Sequence, residues 1–95
     1  MRKDAHLIIN HSSGLHARPA SLFVKTANQF ESEIQISNLS MGKGPVNAKS
    51  ILSVLTLAVG KGNEILISAD GADADQTIEA LTKLAQSNFG EDLHQ

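Results

Sequence analysis

Cysteine, tryptophan and tyrosine are absent from the sequence, and only three phenylalanines are present. Without cysteine there is no disulfide framework, no thiolate nucleophile and no cysteine-ligated zinc. With so few aromatic rings the core has to be aliphatic, built from Leu, Ile, Val and Ala. The stacking platforms that hold single-stranded nucleic acid are missing as well. Basic residues are not in excess: eight Lys and Arg face ten Asp and Glu, a formal net charge of -2. That argues against a direct nucleic-acid partner, whose footprint is a basic patch or stripe. No hydrophobic run approaches a membrane span. The start, Met1-Arg2-Lys3-Asp4-Ala5-His6, is basic but lacks the apolar stretch of a signal peptide. The expectation is a cytoplasmic, monomeric protein with no membrane insertion and no cofactor.

What remains is ordinary for a globular chain: 41% hydrophobic and 19% charged residues. The length suits one domain over residues 1–95, with a core from about 5 to 90 and two packed layers. His6-Leu7-Ile8-Ile9-Asn10 reads as a first strand, and His11-Ser12-Ser13-Gly14 as a turn. From Ala17 the spacing becomes helical, with Ala20, Phe23, Val24, Ala27 and Phe30 on one face. Pro19 is tolerated in a first turn, where backbone N–H groups lack intrahelical partners. Glu33 to Ser37 alternates as a half-buried strand. Pro45 to Ala48 is a short return strand beyond a glycine-containing loop. Ser50 caps a second helix that runs to Ala58. Glu64 to Ala69 is the last strand. Asp73 caps a final helix, with Gln76 completing a capping box, Ile78, Leu81, Leu84 and Ala85 as its buried stripe, and Gly90 as its stop. The order β-α-β-β-α-β-α predicts an α/β fold of the α+β type, a sheet with helices on one face and a wet face opposite.

The chemistry concentrates at Gly14-Leu15-His16-Ala17-Arg18-Pro19-Ala20. With His16 as the N-cap, the N–H groups of Ala17 and Arg18 point outward beside the positive end of the helix dipole, a ready site for a phosphate-like anion. Arg18 adds a guanidinium suited to phosphoryl oxygens. Neutral histidine is a competent nucleophile. In a cap position Nδ1 lies nearer the backbone donors than Nε2, so a phosphoryl group is expected on Nδ1. On residue types alone, His16 is also consistent with an ordinary surface histidine. A metal site is not expected: His6, His11 and His16 recur every five residues, which fits no helix or strand face, and no acidic ligand set accompanies them. No Ser-His-acid arrangement suggests hydrolysis.

The Gly14 to Ala20 stretch resembles the phosphocarrier signature of HPr, the histidine-containing protein of the phosphoenolpyruvate-dependent sugar phosphotransferase system. Asn47-Ala48-Lys49-Ser50-Ile51-Leu52 resembles the family's second signature, around a regulatory serine. Phe30, Glu33-Ile34, the Gly60 to Gly62 turn and Ala69-Asp70-Gly71 fall in family-like places, so the likeness spans nearly the whole chain. It implies an open-faced β-sandwich of four antiparallel strands with three helices on one side. It implies that His16 accepts a phosphoryl group on Nδ1 from Enzyme I, steadied by Arg18, and passes it to EIIA domains of sugar permeases. It also implies that Ser50 is phosphorylated by an HPr kinase/phosphorylase, giving a form that binds the catabolite repressor protein CcpA. A partner-docking face is expected from Ala20, Lys25, Lys49, Ile51 and Leu52. Extra length relative to many family members falls at Asn38 to Gly44, read as a longer turn. Rival readings are a carrier for a nitrogen-related or dihydroxyacetone kinase phosphotransferase chain, and a regulatory binding protein without phosphoryl chemistry. Retention of His16 argues against the last.

Overall fold

The computed structural model describes residues 1–90. In chain order its elements are β1 (Arg2–Ile8), α1 (Ala17–Ala27), β2 (Glu33–Asn38), β3 (Lys43–Asn47), α2 (Ile51–Leu55), β4 (Glu64–Asp70) and α3 (Ala74–Gln86), followed by a 3-10 turn, Asn88–Gly90. The expected order is observed. The four strands make one sheet in the order β1-β4-β2-β3, and every neighbouring pair is antiparallel.

Strand alternation explains the two faces. Ile34 and Ile36 of β2 and Ile65, Ile67 and Ala69 of β4 point to one side and are buried. There they meet Ala20, Phe23 and Ala27 of α1, Val54 of α2, Leu81 of α3, and Phe89. Full burial of a side chain such as Phe23 or Ile67 contributes about 1.5–3 kcal/mol, and these contacts hold the helices to the sheet. On the other face the cross-strand rows are polar: Arg2, Asp70 and Glu33 in one, Asp4, Ser68 and Gln35 in the next. This is the open-faced sandwich that the resemblance implied. Among the described residues no helix is long and apolar enough to cross a membrane.

Several boundaries differ from the expectation. β1 starts at Arg2, not His6, and stops before Ile9, which is buried in the core. Its outer side chains Arg2, Asp4 and His6 face the open side, so an apolar signal is missing where the ladder is complete. β3 begins at Lys43 and carries Pro45 within it, after a cis Gly44–Pro45 peptide. The proline is tolerated because β3 pairs only with β2 and lies at the sheet edge. β2 likewise extends to Asn38, which pairs with Lys43, so the expected long turn shrinks to residues 39–42 and a register shift between that pair and Ile36–Val46 takes up further length. α2 is a helix of five residues, shorter than the reading to Ala58, where the backbone reaches φ 51°.

At α3 the capping box is not formed. Asp73 occupies the N-cap without a side-chain cap bond. Its carboxylate instead accepts from the Ser32 hydroxyl, from Glu31 N–H at 2.8 Å and from Ser32 N–H at 3.0 Å. The Ser32 hydroxyl above all, then the Glu31 amide, holds this carboxyl below its ordinary range. Asp73 therefore ties the start of α3 to the connection between α1 and β2. The helix ends at Gln86, short of Gly90, because Asn88 and Phe89 turn to positive φ and drive the Phe89 ring into the core.

Candidate functional site

The approach to α1 is built against backbone. Gly14 sits at φ 63°, and a Cβ there would stand 2.1 Å from the Val59 carbonyl oxygen. Only glycine permits so close a passage in this conformation. The next residue fixes the height of the loop: Leu15 donates its N–H to Val59 O at 2.9 Å and buries its side chain. His16 follows at once, with extended backbone (φ -122°, ψ 161°), and stands exposed at the N-cap of α1. Burying Leu15 and exposing His16 is what alternation in an extended segment produces.

The imidazole makes no cap hydrogen bond. Among the described residues its ring has no hydrogen-bond partner, so both nitrogens are open to chemistry. First-turn N–H groups have no intrahelical acceptor. Pro19 has none to offer, which leaves Ala17 and Arg18 to supply the donors beside the ring. Ala17 is held at φ 47°, a left-handed conformation uncommon for alanine. Arg18 is exposed and enters no ion pair among the described residues. An imidazole, two outward amides and an unpaired guanidinium thus share one helix end, with no carboxylate in the first turn. That arrangement favours an anion on charge as well as geometry.

The second motif lies at the other end of α1. Ser50 caps α2, its Oγ accepting from Ser53 N–H at 3.3 Å. Asn28, at the C-cap of α1, donates its side-chain amide to Lys49 O at 3.1 Å, which places Ser50 beside that end. From there the chain runs on to Val59, whose carbonyl holds the loop that carries His16. The outward residues of α2 are apolar: Ile51 is 40% exposed, Leu52 75% and Leu55 36%. Ile51 and Leu52, expected on a docking face, are thus at the surface, and Leu55 adds to the exposed apolar stripe. Lys25 is exposed in the last turn of α1. Lys49 is half-buried, with its ammonium donating to Phe30 O at 2.6 Å, so it is anchored rather than free at the rim. Ala20 corrects the expectation outright. It is fully buried among the core side chains and offers no surface to a partner.

The family model described as the PTS HPr component phosphorylation site matches residues 3–87. The chain belongs to the HPr family. The structure of HPr-C-His from Thermoanaerobacter tengcongensis is 43% identical and superposes with a TM-score of 0.88, over 95% of this chain and 98% of that one. HPr from Bacillus anthracis str. Ames is 41% identical, with a TM-score of 0.82 over 90% and 98% of the two chains. The multiphosphoryl transfer protein of Escherichia coli O157:H7 is 37% identical over 88 residues, which is 93% of this chain. The chain spans 23% of the length of that protein.

The three regularly spaced histidines of this HPr domain do not converge. His6 pairs through Nδ1 with Glu64 at 2.9 Å on the sheet, His11 is buried, and His16 is exposed. Among the described residues no group of three His, Cys, Asp or Glu side chains could hold a metal ion. The sequence reading missed Leu55 as surface, because a short apolar helix gives no sign of which stripe is covered. It also missed His11 as a core residue. A polar ring in a turn-rich segment carries no burial signal until Phe89 arrives from the far end of the chain.

Proposed function

We propose that His16 is the phosphoryl acceptor, taking the group on Nδ1 from phospho-Enzyme I and handing it to EIIA domains of sugar permeases in the cytoplasm. The observation that carries this reading is the open imidazole at the α1 N-cap beside the Ala17 and Arg18 donors. In the transfer, the Nδ1 lone pair attacks phosphorus while Nε2 keeps its proton. The bond from phosphorus to the donor breaks, and its electron pair leaves with the donor. The return step to an EIIA domain is the same exchange run onward. No deep pocket is needed, because positioning and charge stabilisation supply most of the catalysis in phosphoryl transfer. The Ala17 and Arg18 amides and the Arg18 guanidinium neutralise the equatorial oxygens as charge shifts onto them.

The partner rests on the apolar stripe of Ile51, Leu52 and Leu55, with Lys25 at its border. A carrier that must leave after each transfer is served by a small mixed patch of this kind. Ser50 stands at the end of that stripe and is a site of regulatory phosphorylation by an HPr kinase/phosphorylase, the modified form being the one that CcpA binds. Phosphate at this cap meets free helix amides and leaves α2 folded, while it places charge beside the apolar contact.

The test is incubation with labelled phosphoenolpyruvate and Enzyme I, followed by assay for an acid-labile, base-stable phosphate. The parent is expected to take one label. His16→Ala is expected to take none and to melt with the parent, since the ring caps nothing. An unlabelled parent, or a variant labelled at the parent rate, would overturn the assignment.

A further inference from the structure

The segment between β1 and α1 has no regular structure, yet it must hold His16 steady against the first turn. Its buried side chains are Ile9, His11 and Leu15, and His11, 4% exposed, is the polar one among them. The ring stands edge-on to Phe89, with centroids 6.1 Å apart and planes at 76°. Ser13 meets its Nδ1 twice, through the backbone N–H at 3.0 Å and the hydroxyl at 3.1 Å. A backbone amide can only donate, so Nδ1 is an acceptor and the neutral ring carries its proton on Nε2. The His11 carbonyl takes the Gly14 N–H at 2.8 Å. Ring and carbonyl together close residues 11–14 into one turn, the ring nitrogen standing where an Asn or Asp oxygen stands in an Asx turn. Beyond Gly14 there is no slack, because Leu15 is bonded to Val59 and buried.

We infer that His11 is a positioning residue for His16: its neutral ring, gripping Ser13 through Nδ1, fixes the turn that sets where the acceptor imidazole stands. The inference rests on the reading of His16 as acceptor. His11 is too buried to meet a phosphoryl group, so it acts on His16 through the loop. Phe89 braces the ring from behind and brings the last turn of the described chain into the support of the site.

Three measurements on the full chain test this. Long-range proton–nitrogen correlation spectra of the unaltered protein read the His11 tautomer, and the expected form has the proton on Nε2. A proton on Nδ1 would overturn the inference without any variant. His11→Phe keeps a ring against Phe89 but removes the acceptor. His11→Asn restores an acceptor in Asx geometry and gives up the ring. A small displacement of a reacting group is enough to cost an order of magnitude or more, so transfer from saturating phospho-Enzyme I should fall about tenfold in His11→Phe. His11→Asn should recover most of that loss although it melts lower. Rates that run opposite to melting temperatures separate positioning from stability. A parent-like rate in His11→Phe, or rates that simply follow the melting temperatures, would overturn the inference. An unlabelled parent would instead sink the reading of His16.

Discussion

Replacing Gly14 with alanine tests whether the seat of the acceptor loop on Val59 governs the site. At φ 63° a residue with a Cβ pays roughly 1–2 kcal/mol for the left-handed conformation alone. The new methyl would stand 2.1 Å from Val59 O and 2.7 Å from Gly60 Cα. Both neighbours are backbone, so no rotamer change relieves the overlap and the segment has to withdraw. Withdrawal stretches the Leu15 N–H to Val59 O bond, now 2.9 Å, at a cost of about 1 kcal/mol. It also lifts part of the Leu15 side chain from the core, a further loss on the order of 1 kcal/mol. The sum is about 3–4 kcal/mol. In a domain of this size each kcal/mol moves the melting temperature by roughly 4–8 °C, so a fall of at least about 12 °C is expected. Circular dichroism melts give that number. Single-turnover transfer from phospho-Enzyme I, run well below the transition of the variant, should also be slowed, because His16 is two residues along the displaced chain. A melting point within a few degrees of the parent would show that the loop is not seated on Val59. A large loss of stability with parent-like transfer would show that the seat and the site are independent.

Arg18→Ala should slow transfer about ten- to a hundredfold without abolishing it, because the backbone donors remain. Its melting temperature should match the parent, since Arg18 enters no ion pair among the described residues; equal single-turnover rates would remove it from the mechanism. Ser50→Asp should leave the melting temperature unchanged or slightly raised, because aspartate caps a helix about as well as serine. Titration with Enzyme I should show weaker productive docking, as the new charge lies beside Ile51 and Leu52 and must be desolvated under a partner; equal affinities would place the docking face elsewhere. Asp73→Asn should flatten the acid limb of the stability curve. The native carboxyl is held below 3.8, first by the Ser32 hydroxyl. The unfolded chain therefore binds this proton at higher pH than the native chain does. The contribution is complete above about pH 5 and is lost as pH falls through the native value. Melts of parent and variant between pH 7 and 2.5 check the difference in slope, and parallel curves would refute it.

The element order and the acceptor loop were legible because they rest on local signals. Alternation marks β2 and β4, helical spacing marks α1, and the cap geometry around His16 follows from Pro19 and the first-turn amides. What could not be read was set by distant partners. Arg2 and Asp4 look like a polar leader until Asp70 and Ser68 of β4 pair with them across the sheet. Lys43 and Gly44 look like loop until β2 supplies the ladder that an edge strand with proline can still use. Asp73 has the sequence of a helix cap, but Glu31 and Ser32, some forty residues earlier, take its oxygens. At the site the same divide holds. Ile51 and Leu52 are exposed, which helical spacing alone did not decide. Ala20 was placed on the docking face although its helical spacing with Phe23 and Ala27 already assigned it to the core.

α1 is also a spacer. Its N-terminal end carries His16 and its C-terminal end meets Lys49 through Asn28, beside Ser50. Eleven residues of helix measure about 16 Å, roughly two screening lengths at physiological salt. Charge placed on Ser50 is therefore expected to leave the reactivity of the His16 ring nearly unchanged. Only a body broad enough to touch both ends of the helix senses both residues, and that body is a protein. A donor as small as phosphoramidate, which phosphorylates an exposed histidine without docking, is blind to the state of Ser50.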